Sequence, residues 1–160
     1  MKYSSVGFSE LEIPLERNLV IYLTECKHRC KNCHTPYAQE IYGDELIDYF
    51  TDIVIAYKNM ITCVVFMGEG NETEKEHMEF DYYNNYIHSL GIKTALYSGR
   101  NCEIEDWMKQ FDYIKIGSYD EKYGALTERT TNQKLYKKIN DNYKDITNIF
   151  WDKNIFKYKE

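Results

Sequence analysis

Short apolar runs alternate along this chain with polar stretches whose apolar residues recur at helical spacing. Leu19 to Thr24 reads as a buried strand, and Leu46, Phe50, Ile53, Val54 and Tyr57 then follow a helical period behind Gly43-Asp44. A second run, Thr62 to Met67, stops at Gly68-Glu69-Gly70. Thr73 and Glu76 have capping-box spacing ahead of a helix carrying Met78, Tyr82, Tyr86 and Leu90, which Gly91 would end. Ile92 to Tyr97 is the third strand, followed by Ser98-Gly99, a short helix around Ile104, Trp107, Met108 and Phe111, and a strand from Tyr113 to Gly117. The pattern predicts a further helix over 132–139, a last strand over 146–151, and a loose charged tail.

Repeated β-α units predict an α/β fold: a parallel sheet with helices packed outside, open or curled into part of a barrel, and functional groups at the carboxyl ends of the strands. At 160 residues the chain suits one domain, 1–160, with a core over about 15–151. The net charge of −6 argues against a nucleic-acid partner, which would call for a clustered basic face. No apolar run approaches membrane-spanning length and the start lacks a signal-peptide pattern, so the expected location is the cytoplasm, with no membrane partner. Tyrosine is abundant, a bias that an adenine-thymine-rich coding sequence explains, so the tyrosines carry no catalytic weight as a group.

Five cysteines, three of them clustered, do not resemble a secreted disulfide framework. Cys26, Cys30 and Cys33, spaced C-x-x-x-C-x-x-C directly after the first strand, can each hold one iron of a four-iron cube and leave the fourth open to a ligand. Lys27, Arg29 and Lys31 between them would offset the charge of a thiolate-bound cluster. His28 and His34 either hydrogen-bond cluster sulfurs or face water. The competing reading is zinc held by the same cysteines and His34, although Cys33 and His34 are adjacent and no second ligand pair lies near Cys63 or Cys102. Those two cysteines read as small apolar residues.

Gly68-Glu69-Gly70 presents a carboxylate at the same sheet edge, a grip for an ammonium group or simply a turn. Tyr97-Ser98-Gly99-Arg100 allows close ligand approach, with Arg100 available to a carboxylate, and Lys115 lies inside the sheet or at its rim. Thr130-Thr131-Asn132-Gln133 reads as a helix start.

With this cysteine spacing after a strand and a glycine-glutamate turn at the next, the chain resembles the radical S-adenosylmethionine superfamily. Within it, Phe66-Met67-Gly68-Glu69-Gly70, Leu96 to Arg100, Tyr113 to Gly117 and Gly124 through Tyr136 with its Thr-Asn-Gln stretch are similar to the anaerobic ribonucleoside-triphosphate reductase activating proteins. The resemblance implies a shortened partial (βα) barrel and a [4Fe–4S] cluster on Cys26, Cys30 and Cys33. It also implies S-adenosylmethionine held at Gly68, Glu69, Gly70, Tyr97, Ser98 and Gly99, with the adenine against the backbone of Asn32 or against other apolar groups. Its activity would be reductive cleavage of that cofactor, yielding a radical that makes a glycyl radical on the large reductase, with a flavodoxin-like electron donor. Many superfamily members carry Gly-Gly-Glu where this chain has Gly-Glu-Gly. Two other functions are compatible with the motifs: a radical enzyme acting on a small molecule or another peptide, and a zinc-stabilised interaction module.

Overall fold

The computed structural model describes residues 1–156. Among them, eight strands form one mixed sheet: β1 (Lys2–Ser9), β2 (Asn18–Leu23), β3 (Asp44–Glu45), β4 (Cys63–Met67), β5 (Lys93–Tyr97), β6 (Tyr113–Ile116), β7 (Lys134–Ile139) and β8 (Asn142–Asp145). Their order is β3-β1-β2-β4-β5-β6-β7-β8. The helices are α1 (Leu46–Tyr57), α2 (Glu74–Ser89) and a short α3 (Lys153–Phe156). No helix of the described residues is long and apolar enough to cross a membrane.

The centre of the sheet is parallel: β2, β4, β5 and β6 are neighbours in chain order, joined through α1, α2 and a 3₁₀ turn over Asp106–Gln110. Both margins are antiparallel, β3 and β1 on one side and β7 and β8 on the other, so the wholly parallel sheet expected from the sequence is corrected to a mixed one. The link from β7 to β8 is Asn140-Asp141, far too short for the crossover that parallel neighbours need.

Successive side chains on a strand face opposite ways, which separates two cores. Leu19, Ile21, Val64, Phe66, Leu96 and Ile114 pack against Phe50 and Val54 of α1, Phe80, Tyr83 and Ile87 of α2, and Met108 and Phe111. Phe50 and Tyr83 rings meet at 4.2 Å, and each such fully buried apolar side chain is worth about 1.5–3 kcal/mol. Val20, Cys63, Val65, Ala95 and Tyr113 face the other way, under Ile13, Leu135 and Phe150. The amino-terminal end of this second face is tied by Glu16, which accepts from Lys93 Nζ at 2.5 Å, Tyr113 Oη at 2.8 Å and Thr62 Oγ1 at 2.6 Å.

The capping box forms, with the Thr73 N–H donating to Glu76 Oε2 at 3.0 Å, and Gly91 ends that helix at φ +72°. The inward face of α2 is nevertheless Phe80, Tyr83 and Ile87, while Met78 and Tyr82 are exposed. Residues 134–139, expected as helix, are the strand β7. There Leu135 joins the second core, and Asn140 and Asp141, at φ 49° and 64°, make the tight turn into β8. The strand expected over 146–151 is a 3₁₀ turn (Thr147–Trp151), because Asp145 Oδ1 accepts from the Thr147 N–H and hydroxyl and turns the chain. Of the charged tail, 157–160 lie outside the described residues.

Candidate functional site

The register of the parallel strands puts Tyr22, Met67, Tyr97 and Lys115 side by side in one row across β2, β4, β5 and β6. This is the last paired row across the four strands. On the face away from α1 and α2 it lines a cavity of about 580 Å³. Loops rising from the strand ends form the rest of the wall, including Cys26, His28, Cys30, Cys33, Gly68, Ser98 and Gly99.

The cysteine loop leaves β2 through left-handed backbone at Glu25 (φ 66°), Arg29 (φ 44°) and Asn32 (φ 56°). It is closed by Cys26 N–H donating to Ala38 O at 2.9 Å and Glu25 N–H to Glu40 O at 3.1 Å, the acceptors lying in and just after a 3₁₀ turn that begins at Pro36. All three cysteines are half-buried with free thiols. Thr35 donates its N–H to Cys33 Sγ at 3.4 Å. Burial pushes the Cys26 thiol up against a hydrogen bond from the His28 backbone, and negative charge on Cys30, Cys33 and Glu72 pushes it further. Three thiolates so close together are mutually repulsive unless a cation joins them, and a coordinated metal reverses that sign.

Lys115 is the lysine or arginine among the described residues that line the cavity. Its Nζ donates to Gly117 O at 2.5 Å and to Ser98 O at 3.4 Å, and lies 5.9 Å from the centre of the Tyr97 ring. Burial pushes this amine down to about 8, and the thiolates of Cys30 and Cys33 oppose the shift. Ser98 is fully buried and donates its N–H to Lys115 O at 2.8 Å, so the two strand ends are stitched together.

Of the other residues singled out from the sequence, His28, His34 and Gln133 line the cavity, whereas Asn32, Glu69, Gly70 and Arg100 do not. Glu69 is buried beside Arg100, whose Nε donates to Oε1 at 3.3 Å and stands 3.2 Å from Oε2. Arg100 also forks onto Glu105 at 2.8 and 3.1 Å, so its guanidinium is committed to two carboxylates of the protein itself. Neither Glu69, Gly70 nor Arg100 lines the cavity. Asn32 turns outward, donating from Nδ2 to Glu121 Oε2 at 2.8 Å. His28 Nε2 stands 2.7 Å from Glu72 Oε1, an electrostatic contact whose angles fall short of a hydrogen bond. His34 meets the Tyr119 ring edge-on at 5.0 Å. The polar stretch before β7 serves the wall: Thr130, Thr131 and Asn132 bond to Tyr123 O, Gly124 O and Ser118 O, and Gln133 reaches the cavity.

Glu12 is a lining residue that the sequence pattern did not single out. It sits in the β1–β2 connection, whose only pattern signal is Ile13, buried in the second core. The Tyr97 hydroxyl donates to its backbone carbonyl.

No group of three or more His, Cys, Asp or Glu among the described residues converges as a single metal ion requires. A four-iron cluster asks for something else, one thiolate at each of three separate corners. Three free thiols on one short loop and one cavity wall, a backbone donor on Cys33 and a buried amine close by are chemically fitted to that demand. No family model, no curated protein and no solved structure matches this chain.

Proposed function

We propose that this chain is a radical S-adenosylmethionine enzyme of the glycyl-radical-activating kind, its sheet a shortened partial (βα) barrel. One observation carries the reading: Cys26, Cys30 and Cys33 share a cavity with Gly68, Ser98 and Gly99 at the carboxyl ends of four parallel strands. A cluster on the three cysteines would supply the electron that cleaves the sulfonium of S-adenosylmethionine, giving the radical that takes a hydrogen atom from a glycine of the large anaerobic ribonucleoside-triphosphate reductase.

The chain's own contribution is to bind, orient and shield. Cys26, Cys30 and Cys33 hold the metal centre, Gly68 and Ser98-Gly99 let backbone approach the ligand, and Tyr22, Tyr97 and Phe150 keep water from its body. Glu69, locked to Arg100, is a brace between two loops in this arrangement, so the methionyl ammonium falls to backbone groups or to another side chain.

The test is the electron paramagnetic resonance spectrum of anaerobically reconstituted, dithionite-reduced protein with and without S-adenosylmethionine, followed by incubation with the reductase. A four-iron signal that changes with S-adenosylmethionine, then a glycyl radical on the reductase, is the expected outcome. Cofactor cleavage without a glycyl radical would move the substrate to a small molecule or another peptide. Bound zinc and no iron after anaerobic isolation would overturn the reading altogether.

A further inference from the structure

The cavity contains two charged side chains that the binding roles above leave unused, and they do not meet each other. Glu12 Oε2 is shut off from solvent and has no hydrogen-bond partner among the described residues. Its charge faces the aromatic wall: burial pushes the phenols of Tyr22 and Tyr97 up, and the Glu12 carboxylate is the next contribution to each. Lys115 spends two of its three N–H donors on backbone carbonyls, and no carboxylate among the described residues pairs with it. Tyr97 touches both, its ring under the Lys115 ammonium and its hydroxyl on the Glu12 carbonyl.

A shielded carboxylate oxygen without a donor is destabilising in the empty protein. It is stabilised once a ligand brings a hydroxyl or N–H to it. The Lys115 ammonium, with two donors on backbone carbonyls, has one N–H left for an anionic oxygen. Two opposite charges in one cleft, unpaired with each other, suit one molecule that carries both complements.

We propose that Glu12 is a ligand-binding residue of this cleft, accepting from the hydroxyl or amine donors of a carboxylate-bearing small molecule whose carboxylate meets Lys115. Resting on the function proposed above, that molecule is S-adenosylmethionine, with Lys115 at the end nearer the cysteines and Glu12 on the donors beyond Tyr97. The role fits a chain whose Glu69 is already committed to Arg100.

The experiment is calorimetric titration of the full-length protein, with and without reconstituted iron, using S-adenosylhomocysteine, adenosine and methionine. Wild type, Glu12→Gln and Lys115→Met are compared, each with a thermal melt. Glu12→Gln is expected to weaken S-adenosylhomocysteine about tenfold while raising the melting temperature of the ligand-free protein by about 2–4 °C, because it removes the negative charge of a half-buried carboxylate whose shielded oxygen has no donor. Lys115→Met should weaken S-adenosylhomocysteine and methionine and spare adenosine. An adenosine loss in Glu12→Gln assigns the ribose or base donors to Glu12, and a methionine loss assigns the ammonium. An unchanged affinity in Glu12→Gln, a wild type that binds none of the three, or a fall of affinity together with melting temperature would overturn the proposal. Iron content is read separately, so a protein that binds the ligand through Glu12 yet takes up no iron retires the radical reading and leaves this one standing.

Discussion

The imidazole of His28 lies on the backbone of Gly99, so close that a β-carbon at 99 would stand 3.1 Å from Cδ2 and 3.3 Å from Cγ. The loop after β5 and the cysteine loop therefore touch through a residue that has no side chain to spare. Gly99→Ala makes the His28 ring, which sits between Cys26 and Cys30 in the chain, give way by a few tenths of an ångström. We expect a stability loss of about 1–2 kcal/mol and reduced iron loading, measured by urea melts and iron content. Gly91→Ala is the contrast. It meets no atom within 4 Å, so its cost is the strain of its φ of +72° alone, and iron loading is unchanged.

Removing one thiolate at a time separates ligands from bystanders. Cys26→Ala, Cys30→Ala and Cys33→Ala should each lose the reduced-cluster signal and S-adenosylmethionine cleavage. Cys63→Ala should keep both, because Cys63 is fully buried in the second core, its thiol pushed up by burial. Its cost is a lower melting temperature from the small void left behind.

Arg100 and Glu69 give a test of brace against binder. Arg100→Met strands a buried carboxylate and should cost about 3 kcal/mol or more. Arg100→Lys should recover only part of this, since a single ammonium cannot fork onto Glu105 and reach Glu69 as well. Glu69→Gln should lower the melting temperature and leave ligand affinity unchanged. A selective loss of S-adenosylhomocysteine affinity with normal stability would return Glu69 to the binding site.

Acid should weaken the amino-terminal tie of the sheet through Glu16. Burial favours its neutral form, but hydrogen bonds from Lys93, Thr62 and Tyr113 outweigh burial and hold the carboxyl below its ordinary range. A depressed folded-state value means the stabilisation is complete above the unfolded value of about 4.3 and is lost as pH falls through the folded one. Urea melts from pH 7 downward should show stability declining in that window, and Glu16→Gln should flatten the slope while lowering stability at pH 7 by on the order of 1–3 kcal/mol.

Much of the fold was legible because the central strands are apolar on both faces and carry glycine stops, as in Cys63–Met67 before Gly68. β1 was not, since Lys2–Ser9 is half-buried and serine-rich and gives no clean alternation. β7 was misread because Lys-Leu-Tyr-Lys-Lys-Ile suits a helix by propensity, and β8 was not assigned at all. The missed signal was Asn140-Asp141, two residues tolerant of left-handed backbone between two short polar runs. In the site, cysteine spacing and strand-end glycines found one wall. Glu12 escaped because nothing local distinguishes it in Glu10-Leu11-Glu12, and only the folded chain brings it under Tyr97. Glu69 was placed by motif position, whereas Arg100, thirty-one residues on, decides where its carboxylate goes.

The Tyr22–Met67–Tyr97–Lys115 row has a consequence for how this protein can change. Each of these residues is preceded on its strand by one that faces α1 or α2: Ile21, Phe66, Leu96 and Ile114. Chemistry and durability are thus written on opposite sides of the same four strands, in alternating letters. Drift on the helical side can harden or soften the molecule without rewriting what the cleft accepts, and a new ligand preference needs changes at only a few alternate positions. A shift of one residue in any strand exchanges the two texts at once, which makes strand register, more than any single side chain, the property that selection has to guard.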